Sequence, residues 1–310
     1  MDKAIVKSNL LLLLAAFFWG TTFVAQRIGM DALGPLAFTG IRFSLGTLVL
    51  IPFLFRRRRR RGNLARRWSL AGMALAGLVL CLGINLQQFG LVYTTAANAA
   101  FITSLYVVIV PFLGLLLGHV PGPGGWLGAL VAVVGLYFLS VPRGLSLAPG
   151  DGLVLLSAVV WAVHVIVIAW LSPRMDSYVL AAGQFSVCAV VSLAGALLFE
   201  PIPLAGVAAA AIPLLYGGLL SVGAGFTLQV VAQRRSPPTH VAVIMSLEAV
   251  FGAVGGWLVL REILSGRQIL GCVLMLAGVL VTQLWQPRLR SPASEVPAGV
   301  DPYSSASAPV

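Results

Sequence analysis

Ten apolar stretches, each of roughly 18 to 25 residues, follow one another along this chain with short polar joins between them. At a rise of about 1.5 Å per residue, a helix of that length crosses the ~30 Å hydrocarbon core of a bilayer. The stretches fall near residues 9–29, 34–55, 68–92, 94–118, 125–141, 152–171, 177–198, 210–232, 237–260 and 267–285, and the fifth, GWLGALVAVVGLYFLSV, is the shortest. Of the 310 residues, 59% are hydrophobic and 9% are charged, whereas a soluble domain carries about 25% charged residues. So little polar surface cannot cover the chain in water, and lipid must be its main solvent. The expected fold class is all-α integral membrane, with ten transmembrane helices.

The net charge of +11 raises the question of nucleic acid, but its distribution points elsewhere. Six consecutive arginines, Arg56 to Arg61, with Arg66 and Arg67 behind them, lie between the second and third spans. A basic run beside a span marks the cytoplasmic face and meets anionic lipid headgroups, so the partners expected at Arg56 to Arg67 are membrane lipids and not nucleic acid. With the N-terminus inside, fifteen lysines and arginines fall on the cytoplasmic side and four on the other: Arg27, Arg143, Arg261 and Arg267. That asymmetry predicts a multi-pass inner (plasma) membrane protein with both termini cytoplasmic. The first apolar run lacks a small-residue cleavage site and is read as a retained span. The tail, residues 286–310, is rich in Pro, Ser and Ala and is expected to be disordered. Cys81, Cys188 and Cys272 sit in apolar stretches without metal-ligand spacing, so no metal or cofactor is expected.

The chain matches itself at an offset of 142 residues. Trp19 falls on Trp161, Phe43-Ser44 on Phe185-Ser186, Gly83 on Gly225, Leu86-Gln87 on Leu228-Gln229, and Ser104-Leu105 on Ser246-Leu247. One inserted residue later, Gly128 and Gly135 fall on Gly271 and Gly278. The two units, 9–141 and 152–285, each hold five spans. An odd number turns the second copy upside down, which predicts two inverted five-helix repeats. Inverted repeats let one buried site face either compartment at comparable energy, as secondary transporters require.

Two stretches carry a family resemblance: LLLLAAFFWGTTFVAQRIGMDALGPLAFTGIRF near the start and AVIMSLEAVFGAVGGWLVLREILSGRQILGCVLMLAGVLV near the end. With the Trp-Gly of the first span, Arg42-Phe43 and the segment from Leu247-Glu248 to Arg261-Glu262, the chain resembles the drug/metabolite transporter superfamily, in its EamA-like branch. The resemblance covers residues 9 to 285 or so. It implies a substrate cavity between the repeats, lined by spans 1, 3, 4, 6, 8 and 9, and export of amino acids or other metabolites. One departure stands out: the corner after span 4 reads GHVPGPGG, where the family often has a Gly-Glu.

Of the nine acidic residues, Glu248 alone falls mid-span, about 16 Å beyond Pro237. A charge there costs roughly 3 kcal/mol unless it faces water or a partner. One reading makes Glu248 a proton-coupling or substrate-ammonium site, with His240 eight residues before it on much the same face. The other makes it a protonated glutamate hydrogen-bonded to neighbouring helices. Trp19, Thr22 and Gln26 share a helix face, and Trp161 and His164 repeat the first two positions. Trp19 and Trp161 reach the midplane, where they either receive an amphipathic substrate, with cation–π attraction for an amine, or pack helices. Tyr106 is the repeat counterpart of Glu248, and Asn98 that of His240.

Asn85, Gln87, Gln88 and Asn98 gather at the outer ends of spans 3 and 4, and Thr227, Gln229, Gln233 and His240 at the inner ends of spans 8 and 9. They form either two gates or ordinary polar helix ends. Arg42, in span 2, has neutral Gln184 as its counterpart. It can bind an anion, pair with Glu248 or hydrogen-bond helix-end carbonyls.

No lysine follows Lys7, so no GxxxxGK[ST] phosphate loop exists and hydrolysis of ATP by that route is excluded. The expected function is a gradient-driven transporter of a small metabolite such as an amino acid, and not an enzyme. A membrane-embedded enzyme acting on a lipid-soluble substrate, or a scaffold without flux, are the alternatives. Neither needs the two-state symmetry of the repeat.

Overall fold

The computed structural model describes residues 3–57, 64–116, 118, 120–140, 148–260 and 265–285. The arginines Arg58 to Arg61, the corner at Arg261-Glu262 and the tail 286–310 lie outside them. Among the described residues every regular element is helical. The membrane helices are α1 (Lys3–Gly29), α2 (Pro35–Arg57), α3 (Leu64–Val92), α4 in two pieces (Ala96–Ser104 and Tyr106–Leu116) and α5 (Pro123–Ser140). The second unit has α6 (Asp151–Leu171), α7 (Ser177–Phe199), α8 in three pieces (Ala211–Leu215, Tyr216–Phe226 and Thr227–Gln233), α9 in two (Pro238–Met245 and Glu248–Leu260) and α10 (Gly266–Leu284). A short helix, Leu204–Ala209, links α7 to α8.

Nine helical segments among the described residues are long and apolar enough to cross a membrane, and Pro123–Leu139 is a shorter tenth. α1 starts six residues before the expected 9. Its polar opening packs inward, with Ser8 and Asn9 buried and Asn9 Oδ1 accepting from His240 Nε2 on α9 at 2.7 Å. Several helix starts are capped by side chains, which satisfies their free backbone N–H groups. Asp176 accepts from the backbone of Tyr178 and Val179, Thr95 from that of Asn98, and Ser265 with Gln268 forms a capping box. The start of α2 is capped from a distance, by the Glu200 carboxylate accepting from Leu36 N (3.0 Å) and Ala37 N (2.8 Å).

The outer surface is apolar: Leu197, Phe199, Leu204 and Ile212 are more than three-quarters exposed. In water that would be an aggregation surface, and in lipid it is the solvated face. Several serines and threonines inside the bundle donate back to their own helix, as Ser44 does to Gly40 O and Thr47 to Phe43 O, which satisfies those hydroxyls away from water.

The packing obeys a twofold relation between the repeats. α2 packs on α7, α4 on α9 and α5 on α10, each helix on its own counterpart. The remaining contacts exchange: α3 meets α6 and α7 as α8 meets α1 and α2, and α1 meets α9 as α6 meets α4. The offset holds at the level of atoms. A Cβ on Gly225 would lie 2.7 Å from Trp19, and one on Gly83 would lie 3.6 Å from Trp161. Phe43 and Phe185, which match each other in sequence, stand 6.1 Å apart across the axis. In the α5–α10 seam, Gly128 faces Gly278 and Gly135 faces Gly271, so close that a Cβ on either member of a pair would lie 2.6–2.7 Å from the other's carbonyl oxygen. Small residues let membrane helices gain van der Waals contact at short range.

Both α4 and α9 break at the same place in the repeat. Leu105 N and Leu247 N turn to i−3 carbonyls (Ile102 O and Ile244 O, each 3.2 Å), tightening the helix for one turn. The break leaves Tyr106 and Glu248 as the first residues of the second half-helices. α8 has a second irregularity that α3 lacks, the π-helical run Tyr216–Phe226, which contains Gly217, Gly218, Gly223 and Gly225.

Candidate functional site

The broken helices and the π-helical run converge on one cavity. α1 contributes Trp19, Thr22, Phe23 and Gln26; α2 Arg42; α3 Ile84 and Gln87; α4 Thr103 and Tyr106. From the second repeat come Trp161 and Val165 on α6, Ser221, Phe226 and Gln229 on α8, and Met245 and Glu248 on α9. Twelve of these sixteen residues form six pairs related by the 142 offset: Trp19 with Trp161, Phe23 with Val165, Ile84 with Phe226, Gln87 with Gln229, Thr103 with Met245, and Tyr106 with Glu248. The cavity therefore sits on the pseudo-twofold axis.

The aromatic wall centres on Phe226. Its ring stacks on Trp161 at 5.7 Å and 19° and lies 4.6 Å from Trp19. The wide turn of the π-helical run brings Ser221 and Phe226 to this wall together. Ser221 O accepts from Trp19 Nε1 at 3.2 Å, which fixes the indole plane. Phe43 and Phe185 back Phe226 at 5.9 and 6.1 Å.

The polar wall is only partly self-satisfied. Ser104 Oγ donates to Glu248 Oε1 at 3.4 Å, and Gln87 Nε2 donates to Thr103 Oγ1 at 2.8 Å. Thr22 donates to Phe18 O in its own helix. Among the buried polar atoms without a hydrogen-bond partner, Gln26 Oε1, Arg42 Nε and Nη2, Trp161 Nε1 and Gln229 Oε1 belong to residues that line the cavity, while others, such as those of Gln88 and Thr227, lie elsewhere in the bundle. Unpaired buried polar groups cost about 1–3 kcal/mol each, and gathered around one cavity they describe a surface built to meet a polar molecule.

Of the residues singled out in the sequence, nine meet at this cavity: Trp19, Thr22, Gln26, Arg42, Gln87, Tyr106, Trp161, Gln229 and Glu248. The others stand elsewhere. Asn85 Nδ2 donates to Ser192 Oγ on α7 at 2.9 Å and to Cys81 O. Gln88 is fully buried outside the lining, and Asn98 is half-buried near the start of α4. His164 Nε2 donates to Gln184 Oε1 at 2.9 Å, behind Trp161. His240 is engaged with Asn9, and the cavity wall does not include it. The polar girdles are thus divided, with Gln87 and Gln229 in the cavity and the rest spread over helix contacts. Arg42 makes no ion pair with Glu248: among the described residues the one salt bridge is Arg27–Asp31, at 3.2 Å.

Sequence reasoning passed over Phe23, Ile84, Thr103, Val165, Ser221, Phe226 and Met245 as lining residues. For six of them a signal was present. Phe23 and Val165 follow the tryptophans by four residues, and Ile84–Phe226 and Thr103–Met245 are themselves offset pairs. Ser221 depends on the π-helical run, which has no counterpart in α3.

Comparison with known proteins agrees with this architecture. The model of the EamA-like transporter family matches residues 6–141 and again 148–284. An uncharacterized transporter of Archaeoglobus fulgidus is 32% identical over 278 residues, which span 89% of this chain and 86% of its own length. The threonine/homoserine exporter RhtA of Escherichia coli is 29% identical over 258 residues, 79% of this chain and 81% of its own length. Among solved structures, one crystal structure superposes with a TM-score of 0.74 at 22% identity, covering 92% of this chain and 99% of that one.

Proposed function

The chain belongs to the EamA-like transporter family, and we propose that it exports a small zwitterionic or amphipathic metabolite, such as an amino acid, by alternating access driven by a proton gradient. The observation that carries this reading is the position of the cavity: six repeat-related pairs enclose it on the axis about which two inverted halves can rock. A site on that axis meets equivalent surroundings whichever side is open. The name of the Escherichia coli relative, a threonine/homoserine exporter, supports an amino-acid cargo.

Glu248 is the coupling residue in this scheme. Its carboxylate can hold a proton or lie against a substrate ammonium, and the two exclude each other at one small site. Release of the amine to the outside lets a proton enter, and release of that proton inside readies the site for the next amine. Trp19 and Trp161 supply faces that attract the same ammonium. In this scheme both termini lie in the cytoplasm and the membrane is the inner one, a reading that the arginine distribution supports.

Proteoliposomes containing the purified full chain test this. Loaded with labelled amino acids, they should release their contents faster when the outside is made acidic. Glu248→Gln should retain exchange at equal pH and lose acceleration by the gradient. Flux indifferent to the gradient in the wild type would remove the coupling, and a panel of metabolites none of which crosses would remove the transport.

A further inference from the structure

Arg42 has a geometry for which neither the helix packing nor the coupling scheme has a use. We propose that its guanidinium is the carboxylate anchor of the cavity, so that the protein selects substrates bearing a carboxylate together with an ammonium; this rests on the transporter reading above. Arg42 is 1% exposed and reaches the cavity wall. Its Nε and Nη2 are buried without a hydrogen-bond partner, and their N–H bonds run parallel along one edge of the guanidinium. That edge is the one that grips a carboxylate with two hydrogen bonds at once.

The surroundings hold the group in place without satisfying it. The rings of Phe38 and Phe43 each lie 5.5 Å from the guanidinium carbon, which steadies the cation while taking up none of its hydrogen bonds. Gly217, in the π-helical run, leaves the room: a Cβ there would sit 3.3 Å from Arg42 Cδ. The charge pattern completes the case. The cavity is nearly symmetric in shape, but the repeat mate of Arg42 is neutral Gln184 and that of Glu248 is Tyr106. One unpaired cation from the first repeat and one carboxyl group from the second line the same small space. A zwitterion fits that dipole, whereas a simple amine or a simple acid leaves one wall unmet.

The test is equilibrium binding by calorimetry to the purified full chain. The probes are L-threonine, L-leucine and L-phenylalanine, each against its methyl ester, which keeps the ammonium and side chain but loses the carboxylate. The wild type should bind at least one of the acids about tenfold or more tighter than its ester, since charge-assisted hydrogen bonds carry the difference. Arg42→Gln, which installs the residue the fold already accepts at position 184, should weaken binding of that acid about 10- to 100-fold and leave the ester unchanged. Arg42→Lys keeps the charge without the two-pronged edge and should fall between; it carries the test if the glutamine variant does not purify as a folded protein. The comparison of acid with ester in the wild type needs no variant at all. Wild type that binds no acid of the panel or prefers the ester, variants that bind the acid as the wild type does, or an ester weakened as much as the acid would each overturn the assignment. Flux measured on the same proteins separates the two readings. The predicted binding pattern without flux refutes transport and keeps the anchor, and flux untouched by Arg42→Gln does the reverse.

Discussion

Gly83 and Gly225 occupy equivalent positions in the two repeats, yet the same substitution at each should give opposite results. A methyl group on Gly225 would lie 2.7 Å from Trp19 Nε1, whereas one on Gly83 would lie 3.3 Å from Val160 Cγ1 and 3.6 Å from the Trp161 ring. To bring the first contact to the second distance, the Trp19 indole must retreat by roughly 0.9 Å, the difference between 2.7 and 3.6 Å. It has little freedom to do so. Phe226 lies 4.6 Å away, and any shift draws Nε1 off Ser221 O, now at 3.2 Å. Overpacking of this kind costs about 1–3 kcal/mol, and a weakened buried hydrogen bond adds about 1 kcal/mol.

Gly83→Ala meets one tight contact, with the Val160 side-chain methyl, which must give by a few tenths of an ångström, and gains about 0.5–1 kcal/mol of helix propensity. Thermal unfolding of the detergent-solubilised protein, followed by tryptophan fluorescence, should therefore place Gly225→Ala several degrees below the wild type and Gly83→Ala at or slightly above it. Because Trp19 lines the cavity, Gly225→Ala should also weaken substrate binding, and Gly83→Ala should not. Equal shifts for the two variants, or a Gly225→Ala protein indistinguishable from wild type, would refute the packing on which this reasoning stands.

Three further outcomes follow from other contacts. Gly271→Ala drives a Cβ to 2.4 Å from Leu139 N and 2.6 Å from Gly135 O, backbone against backbone, and should lower unfolding stability by about 1–3 kcal/mol without altering substrate affinity; Gly266→Ala, with nothing within 4 Å, is its control. Glu200→Ala removes the acceptor for Leu36 N and Ala37 N and should cost about 0.5–2 kcal/mol in the same unfolding assay, only part of it restored by Glu200→Gln, whose single amide oxygen can accept from one of the two. Reporter fusions after Arg61 and after Arg290 should both read cytoplasmic, and reporters on opposite faces would overturn the orientation drawn from the arginines.

The spans and the repeat were legible in the sequence because each follows from a pattern that survives without coordinates: run length for the first, a constant offset for the second. Half of the cavity was legible for the same reason, since Trp19, Trp161, Tyr106 and Glu248 are offset partners or rare residue types in apolar runs. What escaped was local geometry. The breaks at Leu105 and Leu247 fall in Ser-Leu pairs with no glycine or proline to mark them. They arise from a one-turn change in hydrogen-bond partner. The π-helical run of α8 depends on how its glycines pack against α2, with Gly218 held close to Leu45 and Arg42 O. Asn85 and His240 illustrate the opposite failure. Polarity in an apolar run singled them out, but it carries no direction, and their hydrogen bonds run to Ser192 and Asn9.

The seam between α5 and α10 supplies no residue to the cavity wall. It packs one half against the other without reaching the cavity. The residues that set cargo preference can therefore drift, or be exchanged by design for those of a sister protein, while the glycine ladder of the seam stays as it is.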